Sequence, residues 1–61
     1  MNGAGAVASM RRGLSQAEAE LLRRFRYYEQ RPSWFSEVAL VAAGQNLTGW
    51  RRALRTAGDV P

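Results

Sequence analysis

Apolar residues recur at helical spacing in three stretches of the chain, and nowhere do they alternate as a strand requires. In the first stretch Ala17, Leu21, Phe25 and Tyr28 follow one another at intervals of four, four and three, with Leu22 widening the stripe. A helix turns about 100° per residue, so these positions gather on one face. Ser15 followed by Glu18 has the form of a reciprocal capping box and predicts the start. Pro32 disfavours helical backbone in the residue before it and predicts the end near Arg31. The first helix is therefore expected from Gln16 to Gln30, with Glu20 and Arg24 placed to pair across one turn.

Ser33 is a suitable cap for a second helix from Trp34 to Ala43. Only Ser36 and Glu37 are polar in that span, so it has almost no wet face and reads as the central helix. Ala39, Ala42 and Ala43 are small enough to let neighbours approach closely. Gly44 then predicts a left-handed stop and Asn46 an N-cap, which opens a third helix from Leu47 to Thr56. Its Leu47, Trp50, Leu54 and Ala57 share a stripe, while Arg51, Arg52 and Arg55 project elsewhere. Gly58 and Pro61 follow it. Met1 to Gly13 is rich in Gly and Ala, lacks an apolar period and reads as a flexible arm. The expected fold is all-α: a small three-helix domain over residues 14–61 behind an arm over residues 1–13.

A chain of 61 residues forms one domain with a small core. It has neither cysteine nor histidine, so disulfides, thiolate metal sites and histidine ligands are excluded. Stability must come from packing, from partners, or from both, which makes a homodimer or membership of a larger complex the expectation. All nine basic residues are arginine against five carboxylates, a formal charge of +4. Such a charge suits an anionic partner, because guanidinium groups fork onto phosphates and carboxylates. The same Arg, Ala and Gly bias also follows from a G+C-rich genome, and points to a bacterial or bacteriophage source. The longest apolar run, Val38 to Ala43, is far too short to span a bilayer. Arg11-Arg12 is followed by polar residues where an export signal needs an apolar core. The expected location is the cytoplasm, or the virion for a phage protein.

Catalysis is not expected. Histidine, cysteine and lysine are missing, which removes the usual bases and activated nucleophiles. Glu18, Glu20, Glu29, Glu37 and Asp59 are scattered without a paired or metal-ligating spacing. Gly3 and Gly5 follow no strand, so no phosphate loop is present. Neither a cofactor nor a metal is expected.

Two constellations point to binding instead. Gly44 is followed by the small polar Asn46, then by Trp50, Leu54 and a closing Gly58. Over Ser36 to Gly58 this spacing resembles the helix-turn-helix family of DNA-binding modules. Leu40 and Trp50 are larger than the residues usual at their places in that pattern. The resemblance implies that the second and third helices form the DNA-reading pair, with Leu47 to Thr56 as the recognition helix. It also implies base or phosphate contacts from Gln45, Asn46 and Thr48 at its N-terminus and from Arg51, Arg52 and Arg55 along it. The second constellation is aromatic: Tyr27, Tyr28, Trp34 and Phe35 surround the Glu29–Ser33 corner, flanked by Arg26 and Arg31. One small corner cannot hide four rings, and exposed aromatics beside arginine have the composition of a protein-binding hot spot. DNA binding through an arginine-bearing third helix is thus the expected function. The alternative is a small interaction or assembly subunit of a bacterial or phage complex whose arginines meet an acidic protein surface.

Overall fold

Pro32 divides the chain. In a computed structural model, which describes residues 3–58, α1 spans Gly3–Gln30 and α2 spans Trp34–Thr56, with Arg31, Pro32 and Ser33 between them. Met1, Asn2 and Asp59 to Pro61, at the ends of the expected arm and domain, lie outside the described residues. The corner forms as anticipated, since Pro32 cannot continue a helix and Ser33, in extended backbone, caps the next one. Ser36 N–H donates to the Ser33 hydroxyl at 3.1 Å, and Ser33 N–H donates back to Ser36 Oγ at 2.9 Å. Ser36 Oγ also donates to the Arg31 carbonyl at 2.8 Å. Ser36, only 2% exposed, thus ties the end of α1 to the start of α2.

The two helices lie antiparallel. Gly13 and Trp50, about equally far from the corner along their helices, are in direct contact, and a side-chain carbon added to Gly13 would stand 2.5 Å from the indole ring. The molecule is correspondingly elongated, 46 × 18 × 15 Å.

A three-helix domain is therefore incorrect. The expected second and third helices are one, because Gly44, Gln45 and Asn46 are helical rather than a turn. The expected arm is helical from Gly3 onward, and Ser15 lies within α1 instead of capping it. A shared seam explains both corrections. On α2, Leu40, Ala43, Leu47, Trp50 and Leu54 are buried or half-buried at alternating intervals of three and four. On α1, Val7, Met10, Leu14, Ala17 and Leu21 do the same. That average spacing of about 3.5 residues keeps a coiled-coil seam facing its partner. A break at Gly44 or Gly13 would turn one half of each stripe away from the other helix. Continuity wins because a helical glycine costs only about 1 kcal/mol, less than the burial of one large side chain.

Gly44 carries no positive φ; among the described glycines only Gly58, beyond the end of α2, does so, at 89°. The Gly44 carbonyl accepts from Thr48 Oγ1 at 3.1 Å, one helical turn on. A side-chain carbon at Gly44 would touch nothing within 4 Å. Gly44→Ala is accordingly expected to raise the unfolding free energy by about 0.5–1 kcal/mol, read from thermal or urea unfolding followed by circular dichroism. A left-handed turn at this position would make the same substitution destabilising.

Candidate interaction surfaces

The seam encloses very little. Ala17, Ala43, Leu47 and Leu54 are the buried apolar residues among those described, and Ala57, expected on this face, is exposed. Much larger side chains lie outside it. Phe35 is 77% exposed and Trp34 68%, with Leu22, Phe25, Tyr27, Val38 and Val41 each about half exposed. Phe25 was expected in the core, but a seam at 3.5 residues per turn runs through Ala17, Leu21 and Tyr28 and leaves it at the edge.

Leu22 and Phe25 belong to one apolar area, and Trp34, Val38 and Val41 to another. Leu21, Leu22 and Phe25 of α1 and Leu40 and Leu47 of α2 line an open groove of about 530 Å³ between the helices, bounded by Glu18 and Arg51. The other area lies on the side of α2 turned away from α1. At 100° per residue, Trp34, Val38 and Val41 fall within one narrow stripe, roughly opposite Leu47 and Leu54. They line a shallow depression with Glu37, Ala42 and Gln45. Trp34 and Phe35 meet edge to face outside the core, ring centres 5.1 Å apart at 76°. Of the corner aromatics, Tyr27 is exposed and Tyr28 half-buried.

Charge is distributed unevenly along the hairpin. Residues 15–47, which contain the corner, hold four arginines and four glutamates and balance. Glu20 accepts from Arg23 and, at 2.5 Å, from Arg24. Hydrogen bonds from Arg23 and then Arg24 hold the Glu20 carboxyl below the usual carboxylate range. Among the described residues the opposite, open end comprises residues 3–14 and 48–58, which hold five arginines and no carboxylate, and Asp59 follows them in the sequence. Arg11 and Arg12 of α1 stand at the level of Arg51, Arg52 and Arg55 of α2, because Gly13 meets Trp50. Arg12 donates to Ser9 Oγ at 3.0 Å, while Arg51, Arg52 and Arg55 are exposed and make no ion pair among the described residues.

The six positions singled out for nucleic-acid contact are all exposed, but they do not converge. Gln45, Thr48 and Arg52 follow one line along α2 and border a shallow depression together with Val41, Gly44 and Gly49. Arg51 and Arg55 occupy a neighbouring strip. Asn46 lies about 140° around the helix from Arg51 and so faces elsewhere. The residues missed from sequence are Val38 and Val41, which complete the outer stripe, and Arg11 and Arg12, which complete the cationic end. The nearly all-apolar composition of Trp34 to Ala43 was the signal for the first pair. The second pair becomes visible only once α1 is continuous.

No helix of the described residues is long and apolar enough to cross a membrane. No known family model, curated protein or solved structure matches the chain.

Proposed function

We propose that this chain is a non-enzymatic interaction or assembly subunit: a helical hairpin that works in a homo-oligomer or a larger bacterial or bacteriophage complex. The exposure of Trp34 and Phe35 beside Val38 and Val41 supports this most strongly. Aromatic side chains have few rotatable bonds and lose little conformational freedom on docking, and contiguous apolar surface of this kind marks interaction sites. The cationic end adds selectivity for a partner that is acidic nearby. Co-purification with the tagged chain from its host tests the proposal. The double variant Trp34→Ser, Phe35→Ser is expected to keep its helicity and to lose at least about tenfold of the captured partner, as expected for removal of hot-spot residues. An unchanged set and amount of partners would contradict it.

The exposed Arg51, Arg52 and Arg55 favour a second reading, duplex DNA binding through phosphate contacts. Arg51, Arg52 and Arg55 would then neutralise about three phosphates, so that log K falls with log salt at a slope of about −3. Arg51→Ala with Arg55→Ala is expected to abolish a gel shift under this reading and to leave co-purification intact under the first.

A further inference from the structure

We infer that the mouth of the groove, at the open end of the hairpin, is a seat for a phosphate group held from both helices, by Arg11 of α1 and by Arg51 and Arg55 of α2. The inference deepens the phosphate-contact reading by naming the side chains that hold the group, and it does not require duplex DNA as the source. It starts from the heptad that the seam imposes. Val7, Leu14, Leu21 and Tyr28 hold one seam position of α1 and Met10 and Ala17 the other. Leu40, Leu47 and Leu54, with Ala43 and Trp50, do the same on α2. The positions flanking the seam on the groove side are then Arg11, Glu18 and Phe25 of α1 and Glu37, Gly44 and Arg51 of α2. Glu18, Phe25 and Arg51 accordingly line the groove.

Flanking positions of packed helices ordinarily set opposite charges across the seam. Because Gly13 meets Trp50, Arg11 stands about level with Arg51, Glu18 with Gly44 and Phe25 with Glu37. Of these three levels, the one at which charge meets charge sets arginine against arginine, and Arg55 follows one turn beyond Arg51 on the same side of α2. Like charges so placed oppose closure of the hairpin, and an anion between them replaces repulsion with charge-assisted hydrogen bonds to both helices. Arg11, Arg51 and Arg55 are exposed, so the seat is open to solvent. Each guanidinium has five N–H donors, enough to hold an anion beside another partner. Three positive charges suit an anion carrying more than one negative charge, and a guanidinium fork matches two phosphate oxygens. Glu18, the carboxylate on this side of α1 closest in sequence to Arg11, lies about 10 Å from it along the helix at 1.5 Å per residue. Arg12 and Arg52 lie on the outer sides of their helices and take no part.

Nuclear magnetic resonance titration of the isotope-labelled chain with inorganic pyrophosphate tests the inference, with sodium chloride at equal ionic strength as the reference. The side-chain Nε–H signals of Arg11, Arg51 and Arg55 are expected to shift with one common dissociation constant, while those of Arg23 and Arg24 near the corner stay in place. Arg11→Gln and Arg51→Gln, on different helices, are each expected to weaken pyrophosphate binding by at least about tenfold, as the loss of a charge-assisted contact implies. Arg52→Gln removes the same charge from the next position in sequence but on a side turned away. It is expected to weaken binding by less than about twofold at physiological salt, which screens distant charges. A short duplex DNA titrated in the same way separates the sources. The same ranking of variants supports the seat with either probe, and with DNA alone it identifies the phosphate as that of a nucleic-acid backbone. Equal losses from Arg51→Gln and Arg52→Gln would show diffuse attraction and overturn the inference, as would shifts no larger than those in sodium chloride with both probes. A gel shift that fails while pyrophosphate still binds would overturn the duplex reading alone, so the two failures are distinguishable.

Discussion

Leu47→Ala is expected to destabilise the hairpin by about 2–4 kcal/mol, enough to leave much of the chain unfolded at room temperature. Leu47 is 7% exposed and sits midway along the α2 seam, between Ala43 and Trp50. Truncating it removes one of only four buried apolar side chains among the described residues. A domain of this size has a total stability of only a few kcal/mol, about 0.05–0.15 kcal/mol per residue. One truncation thus competes with the whole. Helicity at 222 nm and urea unfolding at a concentration favouring the monomer would show it. Leu22→Ala is the matched control: the same chemistry at a position 50% exposed is expected to change stability by well under half as much. Equal effects at the two positions would mean that the seam is assigned to the wrong face.

Gly13→Ala is expected to destabilise the protein by about 1–3 kcal/mol, even though alanine is the better helix former. The new carbon would lie 2.5 Å from two indole carbons of Trp50 and 2.8 Å from a third. Ordinary carbon contacts begin near 3.5 Å, so the ring or the helix must move. The indole is rigid and half-buried between the helices, and cannot yield as the end of a flexible side chain would. Trp50→Leu removes the obstacle. In the background of that substitution Gly13→Ala is expected to become neutral or stabilising, giving a coupling of at least about 1 kcal/mol in a double-mutant cycle. The comparison with Gly44→Ala is informative: two helical glycines receive the same substitution with opposite signs, because open space surrounds one and an aromatic ring faces the other.

The corner was legible in the sequence because its causes are covalent and local. Pro32 ends α1 and Ser33 caps α2 in whatever tertiary surroundings they meet. The interruptions expected at Gly13 to Ser15 and at Gly44 to Asn46 rested on the same kind of local chemistry, but there a weaker preference faced a stronger opponent. Glycine and an internal serine disfavour a helix by about 1 kcal/mol or less. The seam on either side of them needs the helix to continue. Leu40, Ala43, Leu47, Trp50 and Leu54 keep their alternating three and four spacing straight through Gly44, and Val7, Met10, Leu14 and Ala17 through Gly13. That unbroken spacing is the signal by which the two long helices could have been read.

The aromatic corner was legible for a related reason. Tyr27, Tyr28, Trp34 and Phe35 are too large for the space beside one proline turn, whatever the fold. The outer stripe was not, because a three-helix core would bury Val38 and Val41. With only α1 to pack against, α2 can cover one of its two apolar sides. The cationic end depended on topology as well: Arg11-Arg12 and Arg51-Arg52 are distant in sequence, and only an antiparallel hairpin brings them to the same level.

The contact between Gly13 and Trp50 joins the two continuous helices, and nuclear magnetic resonance reports on it directly. A Gly13 α-proton is expected beneath the indole, shifted upfield by the ring and showing nuclear Overhauser effects to the Trp50 Hζ2 and Hη2 protons. Gly13 α-protons at ordinary glycine shifts, with no Overhauser effect to Trp50, would contradict the hairpin.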